Sequence, residues 1–113
     1  MKNNLESHIK KNENIIIYVD GELISRADAK VSVYDSGFMM GDGVWEGIRL
    51  VNNNWLFLED HIDRLYEGAK AIDLDIGLSK EKLKEELFKT QEANKMTDRA
   101  HARLMVTRGV KSK

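Results

Sequence analysis

The sequence of 113 residues contains no cysteine and no proline. Without cysteine, the chain cannot form a disulfide scaffold, a cysteine zinc site or a thiol nucleophile. Without proline, every turn has to be made by glycine, asparagine, aspartate or serine. The sequence also lacks any apolar run near the roughly 18 residues that a membrane-spanning helix requires. These absences exclude the disulfide-rich and thiol-dependent classes, and they lead us to expect a cytoplasmic protein that does not enter a membrane.

Neither sign of charge dominates, because the chain has 18 Lys and Arg residues and 19 Asp and Glu residues, for a net charge of −1. This balance argues against a protein that binds nucleic acid or a membrane surface through a polybasic patch. Hydrophobic residues make up 42% of the chain, which is enough for one core in a single domain. Residues 1–13 are polar and lack the apolar segment of a secretory signal. We therefore predict a polar extension over 1–13 and one domain over 14–113.

Five segments have the composition of β-strands. Residues 15–19 and 22–25 flank an Asp-Gly step, which is a strong signal for a tight hairpin. The alternating segment 44–51 is followed by three asparagines and by an apolar return strand over 55–58, and the fifth strand covers 100–107. Between the two hairpins, residues 31–34 suggest a short extended piece, and residues 35–43 suggest a glycine-rich loop packed onto the core.

Two segments have the composition of helices. Residues 59–73 place apolar side chains at steps of three and four, which is typical of an amphipathic helix. Ser79 is a favourable N-cap for a second helix over 80–95, whose surface is rich in Lys and Glu. The order of four strands, two helices and one strand predicts an α+β fold with a largely antiparallel sheet and two helices, rather than repeated βαβ units.

The sequence has no familiar catalytic motif, since metal-binding HExxH, phosphate-binding Walker A and nucleophile-elbow patterns are all missing. The three histidines are scattered along the chain, so no metal site is expected. Arginines are more informative, because a planar guanidinium binds carboxylate or phosphate through two parallel hydrogen bonds. Each also has an ordinary interpretation: Arg64 as a surface residue paired with Asp60, Arg103 as an outward side chain on a sheet, and Arg108 as a turn residue. The residues by themselves indicate an anion-binding domain and nothing more specific.

Three segments occur together in a recognisable order and spacing: GDGVWEGIR at 41–49, FLEDHIDRL at 57–65 and RLMVTRG at 103–109. With them, the chain resembles the N-terminal domain of class IV aminotransferases over nearly its whole length. These are the fold-type IV pyridoxal-phosphate enzymes, which include branched-chain and D-amino-acid aminotransferases and aminodeoxychorismate lyase. The resemblance implies the small N-terminal α+β domain of these enzymes, pyridoxal 5'-phosphate as cofactor in the intact enzyme, and a homodimer.

The resemblance assigns roles to three arginines. Arg64 corresponds to the arginine that binds the phosphate of the cofactor. Arg103 corresponds to a substrate-side arginine of the branched-chain enzymes. Arg108 corresponds to the arginine with which D-amino-acid enzymes bind the substrate carboxylate. Because motifs of both groups are present, the resemblance leaves the substrate and its stereochemistry open.

Three further positions correspond to the lining of the substrate pocket. Trp45 stands where the branched-chain enzymes have a phenylalanine. Met40 stands where branched-chain and D-amino-acid enzymes usually have a tyrosine, and His101 replaces another pocket tyrosine. Because the tyrosine hydroxyl is missing at Met40, the resemblance does not establish the usual substrate class.

The catalytic lysine of the family, which forms a Schiff base with the cofactor, lies beyond the positions that this sequence matches. We therefore expect no catalytic residue in these 113 residues, weak or absent cofactor binding by the chain alone, and no activity without the rest of an enzyme. Three interpretations stay open. The arginine motifs and the tryptophan favour an aminotransferase as the intact protein, acting on an amino acid of the branched-chain or D-amino-acid type and a 2-oxo acid. The alternatives are a lyase of the aminodeoxychorismate type and a non-catalytic module that dimerises.

Overall fold

The computed structural model describes residues 12–110 and shows an α+β fold with two antiparallel sheets. One sheet contains two strands and the other contains three, in the order β4-β3-β5. The elements along the chain are β1 (Ile16–Val19), β2 (Glu22–Ser25), α1 (Ser36–Met40), β3 (Gly43–Val51), β4 (Asn54–Trp55), α2 (Leu58–Ala71), α3 (Lys80–Ala93) and β5 (Ala100–Thr107). The predicted fold class is confirmed. The structure contains the two predicted helices and one further helix, the short α1. Of the predicted extension over 1–13, residues 1–11 lie outside the described residues.

Two tight turns close the hairpins. Val19 pairs with Glu22, so the loop between β1 and β2 has two residues, Asp20 and Gly21, which both have positive φ angles (50° and 89°). Asn52 and Asn53 form the equivalent loop between β3 and β4, with φ angles of 48° and 64°. Two positive φ angles match the twist of the strands that such a loop connects, and Asn, Asp and Gly tolerate them best.

The core lies between α2 and β3. Ile62 and Leu65 on α2, together with Ile48 and Leu50 on β3, are almost completely shielded from solvent. Helix α3 adds the buried Leu83 to the cluster around Ile62 and Leu65. The apolar residues that recur at steps of three and four along α2 are therefore the ones that hold this helix against the sheet.

Strand β3 has two different faces because successive side chains of a strand point to opposite sides. Glu46, Ile48 and Leu50 are buried on the side that carries α2, whereas Trp45 and Arg49 are exposed on the other side. Strand β5 pairs with β3 over its full length, from the pair Gly43–Thr107 to the pair Leu50–Ala100. We call the side of this β3–β5 pair that faces away from α2 the open face.

Segment 31–43 differs from its prediction. Residues 31–34 form no strand, and segment 35–43 is not a loop packed onto the core but contains α1. The side chain of Asp35 accepts a hydrogen bond from the amide of Gly37 (2.8 Å), and Gly41 ends the helix with a positive φ angle of 66°. Phe38, Met39 and Met40 are more than half exposed. Asp35 caps the helix at its N-terminus and Gly41 ends it at its C-terminus, and these two residues stabilise a helix that the composition of the segment did not indicate.

The return strand is also shorter than predicted. The sequence predicts a strand over 55–58, but β4 ends at Trp55 and α2 begins at Leu58. Phe57 has a positive φ angle of 55°, which turns the chain out of the sheet and into the helix. The apolar residues of this stretch are therefore divided between a strand and the first turn of α2.

Candidate functional site

A carboxylate on the sheet binds a guanidinium on the helix that covers it. The Nε and Nη2 atoms of Arg64 in α2 donate to Oε2 and Oε1 of Glu46 in β3, both at 2.8 Å. The Nδ1 atom of His61, one helical turn before Arg64, lies 2.7 Å from the same Oε1. Because residues three apart share a face of a helix, His61 and Arg64 reach the carboxylate together. Arg64 thus pairs with Glu46 rather than with Asp60, the partner that its ordinary interpretation as a surface residue gave it.

Glu46 is the only buried charged side chain among residues 12–110, with 6% of its surface exposed. The hydrogen bond from Arg64 lowers the pKa of this carboxyl, and the bond from His61 acts in the same direction, although burial opposes both. Charge-assisted bonds to the ionised form outweigh the cost of desolvation here. The carboxylate is therefore charged at neutral pH, and His61 must donate to it through a protonated Nδ1.

Arg64 keeps most of its hydrogen-bonding capacity for another partner. A guanidinium has five N–H groups, and Glu46 accepts from two of them. The side chain of Arg64 is 69% exposed, so its other three N–H groups are accessible from solvent. A guanidinium that a buried carboxylate holds through two N–H groups can bind an oxyanion such as phosphate through its accessible N–H groups.

The open face brings three other predicted site residues together. The guanidinium of Arg103 stacks on the ring of Trp45, with 5.0 Å between Cζ and the ring centroid. The imidazole of His101 lies over Gly47, where a Cβ atom would come within 2.8 Å of its Nε2. Glycine at this position therefore lets the histidine ring approach the strand beside Trp45.

Two more side chains extend the open face along the strands. Arg49 is opposite His101 in the β-sheet register, and Met105 is opposite Trp45. Both are exposed. The open face thus combines the positive charges of Arg49 and Arg103 with the apolar surfaces of Trp45 and Met105, a mixture that suits a ligand with a carboxylate and an apolar part.

Arg108 lies beyond the end of β5 and has several partners. Its guanidinium donates to both carboxylate oxygens of Asp42 (2.8 and 3.2 Å) and to the carbonyl oxygens of Ile72 and Asp73 (2.7 and 2.9 Å). The carboxylate of Asp42 raises the pKa of Arg108. Arg108 therefore satisfies carbonyl groups at the C-terminal end of α2. Met40 lies at the end of α1, two residues before Asp42, and is 53% exposed.

The structure separates the predicted site residues into three groups. Trp45, His101 and Arg103 share the open face, Arg64 lies on the side of β3 that carries α2, and Arg108 binds Asp42 at the end of β5. Glu46 was not predicted from the sequence to be a functional residue. A signal was present, since Glu46 shares a face of β3 with Val44, Ile48 and Leu50 and is the one charged residue on that otherwise apolar face.

Among residues 12–110, no three His, Asp or Glu side chains lie close enough together to hold a metal ion. None of the helices within the same residues is both long and apolar enough to cross a membrane.

Comparison with known proteins identifies relatives of the chain. The family model of amino-transferase class IV matches residues 43–113. The chain is 42% identical over 103 residues to branched-chain-amino-acid aminotransferase-like protein 1 of Arabidopsis thaliana, an alignment that covers 91% of this chain and 19% of that protein. It is 43% identical over 96 residues to a D-alanine aminotransferase of Listeria monocytogenes, covering 85% of this chain and 33% of that one.

The fold has counterparts among solved structures. The branched-chain amino acid aminotransferase from Escherichia coli matches with a TM-score of 0.78 and 27% identity, over 85% of this chain and 34% of that chain. The chain therefore spans about a third, or less, of the length of these relatives. The segment matched by the family model begins at the first residue of β3 and includes Glu46, Arg64 and Arg103.

Proposed function

The chain belongs to the class IV aminotransferase family, and we propose that it forms the N-terminal domain of a pyridoxal-phosphate-dependent aminotransferase. In this proposal, Arg64 anchors the phosphate of the cofactor, and the open face forms one wall of the substrate pocket. The reaction moves an amino group between an amino acid and a 2-oxo acid. The chain spans about a third of its relatives, and the proposal assigns the remaining catalytic groups, including the lysine, to parts of the enzyme outside these 113 residues.

The exposed but fixed guanidinium of Arg64 is the observation that carries the cofactor assignment. Its three accessible N–H groups suit a phosphate, which accepts several charge-assisted hydrogen bonds at once. When bound, pyridoxal phosphate supplies the electron sink that amino-group transfer requires. The residues present here bind and orient the phosphate end of that group, and the described lysines are exposed or half-buried and are not candidates for its covalent attachment.

The open face supports an amino acid or 2-oxo acid as the substrate. Arg103 provides a cation for a carboxylate, while Trp45 and Met105 provide apolar surface for a side chain. His101 stands next to them with a ring that can donate or accept a hydrogen bond. We also assign Met40 and Arg108 to substrate binding, as the resemblance implies, with the guanidinium of Arg108 held by Asp42.

The proposal is tested by measuring the binding of pyridoxamine 5'-phosphate and of pyridoxamine to the chain and to Arg64→Ala. Removing the guanidinium should weaken binding of the phosphorylated ligand at least about tenfold and should leave weak binding of the dephosphorylated one unchanged. Arg99→Ala is the matched control, because it removes another exposed arginine and the same charge. If Arg64→Ala binds the phosphorylated ligand within twofold of wild type, the phosphate assignment is wrong.

A further inference from the structure

We propose that Glu46 is a positioning residue, which holds the guanidinium of Arg64 so that its free N–H groups face the phosphate before the phosphate arrives. The inference rests on the proposed phosphate anchor and adds a residue to it. Glu46 does not itself bind the ligand in this proposal. It acts through Arg64, and His61 supports it from the same helix.

The geometry of the pair fixes both the position and the plane of the guanidinium. Two hydrogen bonds, from Nε to Oε2 and from Nη2 to Oε1, run side by side at 2.8 Å. A single bond would leave the guanidinium free to rotate about it, whereas two parallel bonds do not. An exposed arginine without such a partner samples many rotamers, and a ligand would have to pay the entropy of ordering it.

Glu46 is itself held firmly enough to do this. It lies in the middle of β3, with β5 paired along that strand, and only 6% of its surface is exposed. His61 donates from Nδ1 to the Oε1 atom that also accepts from Arg64, at 2.7 Å. The carboxylate therefore accepts three hydrogen bonds, which fix its position on β3. The position of the carboxylate in turn sets the orientation of the Arg64 guanidinium.

A second interpretation makes Glu46 only a counter-charge. A buried carboxylate cancels the positive charge of Arg64, and on electrostatic grounds alone this lowers the affinity of the site for an anion. The two interpretations predict opposite results for Glu46→Gln, which removes the negative charge. A positioning residue gives weaker phosphate binding when it is lost, whereas a mere counter-charge gives tighter binding.

The experiment uses the ¹⁵N-labelled chain of 113 residues, titrated with inorganic phosphate and followed through the NMR signal of the Arg64 Nε–H group. The variants are Glu46→Gln, which keeps the shape of the side chain, and Glu46→Asp, which keeps the charge but withdraws the carboxylate by one methylene. Asp63→Asn is the matched control, because it changes the net charge in the same way at an exposed position of α2. Circular dichroism verifies that each variant is folded.

We expect phosphate to bind at least about fivefold more weakly to both Glu46 variants and within twofold of wild type to Asp63→Asn. Equal or tighter binding by Glu46→Gln, or unchanged binding by Glu46→Asp, would overturn the proposal. A measurement on wild type alone adds a test that does not depend on folding of the variants. Without phosphate, the Nε–H of Arg64 should be rigid and slow to exchange, unlike that of the exposed Arg49, and equal mobility of the two would also overturn it.

The same titration separates this inference from the proposed function. If phosphate produces no change at Arg64 even in wild type, the phosphate anchor fails, and the positioning role fails with it. If wild type and the Glu46 variants bind phosphate equally well, Arg64 still binds the phosphate, and only the positioning role of Glu46 is wrong.

Discussion

Glu46 combines two properties that usually exclude each other, because it is buried and it is charged. Burial of a carboxylate is costly unless hydrogen bonds replace the lost water, and Arg64 and His61 provide them. Removing the carboxylate charge should therefore affect the stability of the fold as well as the anchor. The pKa of Glu46 determines the pH range in which the ionised carboxylate contributes to the stability of the fold.

The ionised form of Glu46 should stabilise the fold at neutral pH and not in acid. Its pKa is lower in the folded chain than in the unfolded chain, where a glutamate titrates at about 4.3. The contribution is therefore complete above that range and is lost as the pH falls through the lower, folded pKa. Urea unfolding at about pH 7, 5 and 3 should show a stability difference between wild type and Glu46→Gln that is largest at pH 7 and shrinks at pH 3. An identical difference at all three pH values would contradict the assignment.

The side chain of Asn94 helps to attach the first hairpin to the rest of the fold. Asn94, the residue after α3, accepts from the amide of Ile16 (2.7 Å) and donates to the carbonyl oxygen of Ile16 (2.9 Å). An asparagine side chain carries both a donor and an acceptor, so it imitates a neighbouring strand at the edge of β1. A two-stranded hairpin alone has little stability in water, and this contact supplies part of what it lacks.

Replacing Asn94 should loosen the first hairpin without loosening the core. In Asn94→Ala, the amide of Ile16 loses its acceptor, and its hydrogen exchange should become about tenfold faster, which corresponds to about 1.4 kcal/mol. The amide of Leu65 in α2 should exchange at its wild-type rate. Glu92→Ala, an exposed change near the end of α3, is the control. If the amides of Ile16 and Leu65 accelerate equally, Asn94 stabilises the whole domain rather than the hairpin.

Many large apolar side chains are exposed on the surface of the domain. Five of them are each more than half exposed: Phe38, Met39, Met40, Trp45 and Met105. Strand β5 is also an edge of its sheet among the described residues, with unpaired backbone groups along one side. Exposed apolar surface and an open strand edge both favour association.

We predict that the chain forms a homodimer or a larger assembly at micromolar concentration. Light scattering should give a mass of at least twice 13.0 kDa, and Met39→Lys combined with Phe38→Lys should shift it towards the monomer. Leu23→Lys, at a similarly exposed position on β2, should leave the mass unchanged. A wild-type mass of 13.0 kDa over the whole concentration range would show that the exposed residues do not mediate association.

Most elements could be predicted from the sequence because their determinants are close together along the chain. The two-residue turns follow from Asp20-Gly21 and Asn52-Asn53, and strand β5 occupies the predicted residues. Helix α3 begins at the predicted cap, where Ser79 accepts from the amide of Lys82. Family membership was also readable, because motif order and spacing are properties of the sequence itself.

The sites depend on contacts that no local pattern contains. Glu46 and Arg64 are 18 positions apart, and Asp42 and Arg108 are 66 positions apart, so their pairing depends on how the sheet and α2 pack. Packing also decides that Arg64 and Trp45 lie on opposite sides of β3. Strand alternation predicts that β3 has two sides, but only the packed α2 decides which side is buried and therefore which charges must find partners there.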